Sequence, residues 1–496
     1  MIRRERTVES AVSQNQLLET VQTYLSQGYR PVMMACVEED AGFRVVYVLV
    51  RPSDDTRVEL ALTVPMTKPS VPSLASISYP LGRFEREVRD LYGITPIDHP
   101  LPYRLVRHGH WPQGWYPMRR DADPSPRFEP DVGSFPFLEV EGDGVYEIPV
   151  GPVHAGLIEP GHFRFSVVGE TILRMKARLW FVHRGVEKLF EGMHPTEGIG
   201  VAERISGDTA VGHALAFAMA VEDATGIRVS EYDRRVRAVL LELERLHNHV
   251  SDIGALANDV GFSLAHSHAQ RMREALLRAN KSTTGHRLLR GGIRIGGTSL
   301  LAPPDTACVK DVADGIAELA RLLLANSTVR DRFTGTAVLS REAAVGVGVL
   351  GYVARASGIE VDARRDHPFV DLGKSFSVVV EPAGDVLSRF LVRVREVAVS
   401  AALITELASL VRTPGAQPST AGSYESAAGL GLVEGWRGTI AHRVELNADG
   451  RLSRVKVVDP SFFNWPALPL ALSDTIVPDF PLANKSFNQS YAGNDL

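Results

Sequence analysis

Apolar residues recur at helical spacing over residues 8–26 (Val12, Leu17, Leu18, Val21, Leu25), and Gly28 follows as a stop. Three valine-rich runs come next, 31–37, 43–50 and 58–64, divided by the turn formers Asp40-Ala41-Gly42 and Pro52-Ser53-Asp54-Asp55. They predict the strands of an antiparallel meander, and a helix beside a small sheet makes an α+β unit. A charged run headed by Pro80 and closed by Gly93 predicts a further helix. By composition it reads as a surface helix with paired charges.

Residues 111–139 carry prolines, aromatics and charges without periodicity, which predicts a linker packed over a surface, and 142–150 restart as a strand. Beyond it the spacing turns helical. The segment 211–224 predicts one helix, and Val236, Val239, Leu240, Leu243, Leu246 and Val250 predict another, with Arg235, Arg237, Glu242 and Glu244 between them. That pattern is an amphipathic helix packed by one face, and residues 386–411 behave likewise. Residues 441–458 read as strands, so the second half is a mostly helical core with small β appendages.

Composition narrows the partners. A chain of 496 residues with 44% apolar content has room for about two or three domains. The net charge of −5, with both signs interspersed, argues against nucleic acid and against a polybasic membrane contact. Arg389, Arg393, Arg395, Glu396 and Glu406 interrupt the most apolar helix, and a charged N-terminus has no apolar region behind it. These features predict a cytoplasmic chain able to dock on a membrane protein. The two cysteines, Cys36 and Cys308, lie far apart and build neither a thiolate metal site nor a disulfide framework.

Within residues 79–94, Glu85-Arg86-Glu87, Asp90-Leu91-Tyr92-Gly93-Ile94 and the following His99-Pro100 and Arg104 resemble the signature of the 30-kDa subunit of respiratory complex I and its counterparts in membrane-bound hydrogenases. The resemblance implies a docking and assembly module without a cofactor. In the second half, Gly151 to Phe163, His183 to Lys188, Glu203 to Thr209, Glu242 to His249, Gly292 to Gly297, Arg355 to Gly358, Arg364 to Phe369 and Asn464-Trp465-Pro466 resemble, in order, the large subunit of energy-converting nickel-iron hydrogenases. The resemblance is especially to the large subunit of formate hydrogenlyase, and more distantly to the 49-kDa subunit of complex I. The implied organisation is a 30-kDa-like domain over 1–120, a linker over 121–145 and a hydrogenase large-subunit or 49-kDa-like domain over 146–496. The fold class is α+β, a small N-terminal α/β docking domain before the mostly helical one.

The resemblance also frames the chemistry. In the hydrogenases two segments read R-x-C-G-x-C and D-P-C-x-x-C, and their four thiolates hold nickel and iron. Ser206, Thr209, Ser490 and Gly493 stand at those places here. A soft bridging thiolate is what that metal pair needs, whereas hydroxyls and Asp208 suit hard ions, so no metal ligands and no active hydrogenase are expected. Hydrogenase precursors carry a tail that is cut once metal is in, and this sequence stops three residues after Gly493. In the 49-kDa subunit the vacated cavity takes a quinone, clamped by a histidine and a tyrosine. Their positions are Ile158 and Gly207 here.

The polar residues expected around the cavity are Arg204, Asp208, Asp366 and His367 as catalytic candidates, with His154, Glu159, Ser206 and Arg365 as cofactor contacts. Arg365-Asp366-His367 reads either as a proton relay or as a structural ion-pair network. Arg204 stands where the family places an arginine beside the partner's proximal iron-sulfur cluster. The resemblance thus implies a small iron-sulfur subunit with a [4Fe-4S] cluster and antiporter-like membrane subunits as partners, on the cytoplasmic face of the membrane, with no cofactor bound by this chain alone and a quinone as candidate substrate. Two functions follow: a cavity that passes electrons to a quinone or another small carrier, or a catalytically silent scaffold.

Three short motifs point elsewhere. Gly346 to Gly351 fits G-x-G-x-x-G, but 340–344 before it reads as helix where dinucleotide binding needs a buried strand. Glu191-x-x-His194 with Glu244-x-x-His247 mimics a di-iron bundle, but Pro195 disfavours a helix through His194. His266-Ser267-His268 reads as exposed loop or helix-start polarity.

Overall fold

The computed structural model describes residues 10–130, 135–155, 158–410 and 427–496. The helical expectation at 8–9 and at 411 lies outside the described residues. Strand β1 (Ser10–Ala11) leads into α1 (Gln14–Ser26), whose Leu17 and Val21 are fully buried. The three valine-rich runs form β2 (Arg30–Glu39), β3 (Gly42–Arg51) and β4 (Thr56–Pro65). These make an antiparallel meander that β1 joins in parallel, in the order β1-β4-β3-β2. Strands β5 (Ser70–Pro72) and β6 (Thr95–Ile97) pair in parallel and flank α2 (Tyr79–Tyr92). Gly93 ends α2 at φ 78°, its N–H returning to the Arg89 carbonyl at 2.9 Å.

Helix α2 corrects the surface reading of its charges. Leu81, Phe84, Val88 and Leu91 pack into the core, yet Arg83, Glu85, Glu87 and Asp90 are buried as well. Each charge has an assigned partner. Asp90 accepts from three successive backbone amides, Leu105, Val106 and Arg107, at 2.6, 2.8 and 3.2 Å. Glu85 accepts from Ser73 Oγ and the Leu74 amide, and Arg83 donates to the Phe462 carbonyl. The helix is docked along most of its surface, with Tyr79 exposed and Arg86 and Arg89 half-buried, so its buried charges serve the contacts.

Residues 98–144 hold no helix or strand among the described residues. The second unit opens with an antiparallel sheet of β7 (Val145–Val150), β8 (His162–Val168) and β9 (Thr171–Arg178). Two short helices follow, α3 (Val186–Leu189) and α4 (Pro195–Ala202), and then α5 (Ala210–Thr225), α6 (Glu231–Asp259) and α7 (Ser263–Thr284). His194 caps α4 ahead of Pro195, so no helix runs through it, and His266 and His268 lie inside α7. The hairpin β10 (Ile293–Arg294) and β11 (Gly297–Thr298) precedes α8 (Thr306–Ala325), α9 (Ser327–Phe333) and α10 (Arg341–Val347). Residues of the G-x-G-x-x-G match therefore close a helix: Gly348 caps α10 at φ 73°, and Gly351 opens α11 (Gly351–Ala356).

Helix α12 (Ala363–Asp366) and α13 (Val386–Leu410) lead to an antiparallel sheet of β12 (Ala427–Gly435), β13 (Gly438–Leu446) and β14 (Leu452–Val458), with β13 central. The chain finishes through α14 (Pro460–Asn464), α15 (Ala467–Ala471), α16 (Phe480–Phe487) and α17 (Tyr491–Asp495). The alanine-rich α5 lies on β12 at near-contact. A methyl at Gly429 would stand 2.2 Å from the Ala220 carbonyl oxygen, and one at Gly431 2.0 Å from that of Ala216.

Helix α6 departs from the one-faced expectation: residues 236–250 are buried at every position, because α7 and α13 cover one side and α5 the other. Its charges are consequently paired inside. Glu242 meets Arg245 at 3.1 Å, Arg364 at 3.2 Å and the Ser400 hydroxyl at 2.6 Å. Glu396 of α13 meets His249 at 2.7 Å and Arg355 at 2.8 Å.

The two units are fastened by a buried ion cluster. Lys456 on β14 bridges Glu87 of α2 at 2.7 Å and Glu187 of α3 at 3.0 Å, and Arg454 reaches Glu187 at 2.6 Å. Burial works against the Lys456 ammonium, but Glu187 and Glu87 outweigh it and hold its pKa above the ordinary value. Removing the cation leaves Glu87 buried without its counter-charge. Lys456→Met is expected to lower unfolding free energy by about 3–5 kcal/mol, and Glu87→Gln added to it to recover part of the loss. Urea unfolding checks both; a loss below about 1 kcal/mol, the scale of an exposed pair, contradicts the bridge.

Candidate functional site

Three segments far apart in sequence meet at one place. The loop 203–209 runs from the end of α4 to Thr209, which precedes α5. Gly435 pairs with Gly438, so Trp436 and Arg437 form a two-residue turn between β12 and β13, aimed at the same place. The third segment, 488–493, joins α16 to α17, with Ser490 capping α17.

The meeting is ionic and hydroxylic. Arg437 grips the Asp208 carboxylate with both terminal nitrogens at 2.7 Å. Ser206 and Thr209 each donate to Asp208 Oδ1 at 3.0 Å. Ser206 Oγ lies 2.9 Å from Ser490 Oγ, which accepts the Gly493 amide at 2.9 Å. A hydroxyl has one proton, so the direction is fixed: Ser206 gives its proton to Asp208, and Ser490 gives its own to Ser206. Trp436 Nε1 and Asn248 Nδ2 hold the Asp208 carbonyl at 3.2 and 2.8 Å, while Arg437 Nε holds that of Asn488 at 2.6 Å.

A cavity of about 550 Å³ opens over this floor, lined also by His154, Glu159, Phe163, Phe480, Lys485 and Tyr491. Asp208 keeps 38% of its side-chain surface, although burial at the carboxylate pushes its pKa up. The charge and hydrogen bonds of Arg437, with Thr209 and Ser206, prevail and hold Asp208 well below the usual carboxylate range. Beneath the floor, Glu244 accepts the Val211 and Gly212 amides at 2.7 and 2.9 Å, and burial raises its pKa to about 8.

Of the residues singled out by sequence, His154, Glu159, Ser206 and Asp208 line the cavity, and Ile158 and Gly207 do too. His154 Nε2 lies 2.7 Å from the Gly161 carbonyl, which only accepts, so that nitrogen carries the proton. Glu159 accepts the Ala492 amide at 3.1 Å. Arg204 turns outward: its guanidinium is exposed and returns to the Gly200 carbonyl at 2.5 Å.

Arg365, Asp366 and His367 are not brought to the cavity. Asp366 is buried, accepts the Asp362 amide at 3.1 Å and pairs with Arg365 at 2.8 Å. His367 Nδ1 meets Asp55, from the β3–β4 turn of the first unit, at 2.7 Å. Sequence reasoning missed Arg437, Lys485 and Tyr491. The only signal for Arg437 was the pair Gly435 and Gly438, which marks a hairpin turn.

The donor set does not fit a nickel-iron pair. Ser206, Thr209 and Ser490 spend their hydroxyls on Asp208 and on one another. At Gly493 an added Cβ would lie 2.6 Å from the carboxyl carbon of Asp459. Asp459 is itself held by His213 at 3.0 Å, and His213 by His442 at 3.1 Å, all three buried. Among the described residues no three histidine, cysteine, aspartate or glutamate side chains are grouped to hold a metal ion.

Comparison with known proteins follows this architecture. The family model of the 30-kDa subunit of respiratory-chain NADH dehydrogenase matches residues 10–127, that of the 49-kDa subunit residues 259–428, and that of nickel-dependent hydrogenases residues 184–256. The chain is 35% identical over 424 residues to hydrogenase-4 component G of Escherichia coli K12, covering 83% of this chain and 73% of that protein. It is 33% identical over 469 residues to formate hydrogenlyase subunit 5 of the same organism, covering 92% and 82%. With the C/D subunit of NADH-quinone oxidoreductase from Phocaeicola vulgatus it shares 32% identity over 397 residues, 74% of this chain and 75% of that one. Among solved structures, a chain of the membrane-bound sulfane sulfur reductase, described as an archaeal respiratory membrane complex, superposes with a TM-score of 0.66 at 24% identity, over 71% of this chain and 99% of that one, a likeness of fold. No helix among the described residues is long and apolar enough to cross a membrane. The chain belongs to the family of fused 30-kDa and 49-kDa complex I-type subunits that includes hydrogenase-4 component G, formate hydrogenlyase subunit 5 and the C/D subunit of NADH-quinone oxidoreductase.

Proposed function

We propose that this chain forms a nickel-free, electron-accepting cavity beside an iron-sulfur cluster of a partner subunit, in a membrane-associated oxidoreductase, and that a quinone or another small redox carrier takes the electrons there. The observation that carries this reading is the closure of the Ser206–Ser490 contact by Asp208 and Arg437 under a cavity of about 550 Å³. The space is of the size that takes a small molecule. Its charges nearly balance: Asp208, Glu159 and Asp259 face Arg437 and Lys485, which favours a neutral occupant over an anion. Arg204 projects outward from the same loop as Ser206, a cation positioned to meet a docked subunit and to favour the reduced state of a nearby cluster. The membrane arm and the cytoplasmic face belong to the same proposal, by analogy with the relatives.

The scaffold reading has its own support in Asp366 and His367, which are spent on contacts with Arg365, Asp362 and Asp55. The test is made on the complex purified from membranes with its partners. Its iron-sulfur clusters are reduced chemically, menadione is added, and reoxidation is followed by electron paramagnetic resonance. Rapid reoxidation, slowed about tenfold or more by Arg204→Ala without loss of assembly, supports the cavity. Clusters that stay reduced in the wild-type complex refute it.

Asp366→Ala separates structure from chemistry. The substitution removes the acceptor for a buried amide, and the expected result is about 1–3 kcal/mol of lost stability with reoxidation in the assembled complex changed less than twofold. A complex that is as stable as the wild type but stalls would return Asp366 to a proton-transfer role.

A further inference from the structure

Among the described residues, Tyr491 carries the one side-chain polar atom of the cavity lining that is buried without a hydrogen-bond partner of normal geometry. Its ring is firmly seated. Trp465 lies 4.8 Å away between ring centroids and Phe163 6.5 Å, and a Cβ on Gly161 would stand 2.5 Å from Tyr491 Cε1. Glycine at 161 is thus a condition of the ring's position.

The hydroxyl is protonated throughout the physiological range. Burial pushes its pKa up to about 12; the Asn484 side chain pulls it down and the charges of Glu159 and Asp495 push it up. A buried hydroxyl without a well-formed hydrogen bond is costly, and an incoming acceptor oxygen removes that cost, competing at most with the Asn484 side chain. Every other polar group of the floor is committed: Asp208 to Arg437, Ser206 to Asp208, Ser490 to Ser206.

The wall around Tyr491 suits a flat, apolar ring. Phe163 and Phe480 stand edge to face at 5.3 Å, and both line the cavity together with Tyr491. We infer that Tyr491 is the residue that fixes the bound acceptor, its hydroxyl donating to a carbonyl oxygen of a neutral quinoid ring held against Phe163 and Phe480. The inference rests on the cavity reading above. It supplies, from a different segment of the chain, the donor that Ile158 and Gly207 lack.

The test uses the purified complex with reduced clusters and menadione as the probe, scanning its concentration. Tyr491→Phe removes the hydroxyl and keeps the ring. The menadione concentration for half-maximal reoxidation is expected to rise about tenfold, with the cluster spectra and the limiting rate at saturation little changed. Thermal stability is expected to change little, since the hydroxyl makes no hydrogen bond of normal geometry and only the Asn484 side chain interacts with it. Gly161→Ala, which displaces the ring, is expected to weaken menadione in the same direction. A wild-type complex that saturates with menadione and a Tyr491→Phe complex that saturates at the same concentration overturn the assignment of Tyr491 and leave the cavity reading standing. A wild-type complex whose clusters menadione does not reoxidise overturns both.

Discussion

The Asp208–Arg437 pair holds the site together. It ties the loop before α5 to the hairpin turn between β12 and β13, and through the hydroxyls of Ser206 and Ser490 it reaches the segment before α17. Bidentate geometry gives it direction as well as strength, and partial burial shields it from salt. Without Arg437, Asp208 would face a cavity whose other charges include Glu159 and Asp259, and the three segments would be left with the uncharged contacts of Ser206 with Ser490 and of Trp436 with the Asp208 carbonyl. The cavity is therefore braced at its floor by the pair. Its floor is a set of satisfied hydrogen bonds, and its free bonding capacity lies in the walls.

The same economy governs the interior. Arg245, Arg355 and Arg364 sit among Glu242, Asp362, Glu396 and Glu434, all of them nearly or fully buried. Single charges at such depth would be untenable, but a network in which each carboxylate meets a guanidinium is tolerated and fixes geometry. Two of its members, Asp362 and Glu434, also receive backbone amides, from Arg364 and Ala363, so the network orients the short α12 against β12. Asp366 adjoins this framework: its carboxylate accepts the Asp362 amide and pairs with Arg365, so its position next to two arginines in sequence expresses the packing of α12.

Much of the fold was legible because the pattern was local. The valine-rich runs and their turns are the strands β2, β3 and β4, and the spacing at 211–224 and 386–411 is α5 and α13 within a residue or two over the described range. What was not legible came from partners distant in the chain. Helix α2 reads as a surface helix until Lys456, more than three hundred residues away, is seen against Glu87. Likewise α6 shows one apolar face in sequence, yet its polar face is enclosed by ion pairs. In the site, half of the eight candidate residues converge, Ser206, Asp208, His154 and Glu159, whereas Arg437 comes from a hairpin turn that no motif announces, and Tyr491 lies inside the C-terminal motif segment between Ser490 and Gly493 without being marked by it.

Gly493 leaves no room for a side chain. A side chain there would meet the Asp459 carboxylate, which cannot retreat freely: it caps α14 through the Ser461 amide at 2.7 Å and is hydrogen-bonded to His213. His213 is fully buried and backs onto His442, so movement of Asp459 would unpair a chain of three interior groups. Unpairing them carries the desolvation penalty of each. A thiolate at 493 would therefore need a different Asp459, a different His213 and a different cap for α14, besides three further sulfurs. The hydroxyl floor adjoins the buried aspartate-histidine chain through Ser461, whose amide donates to Asp459 and whose hydroxyl accepts the Ser490 amide.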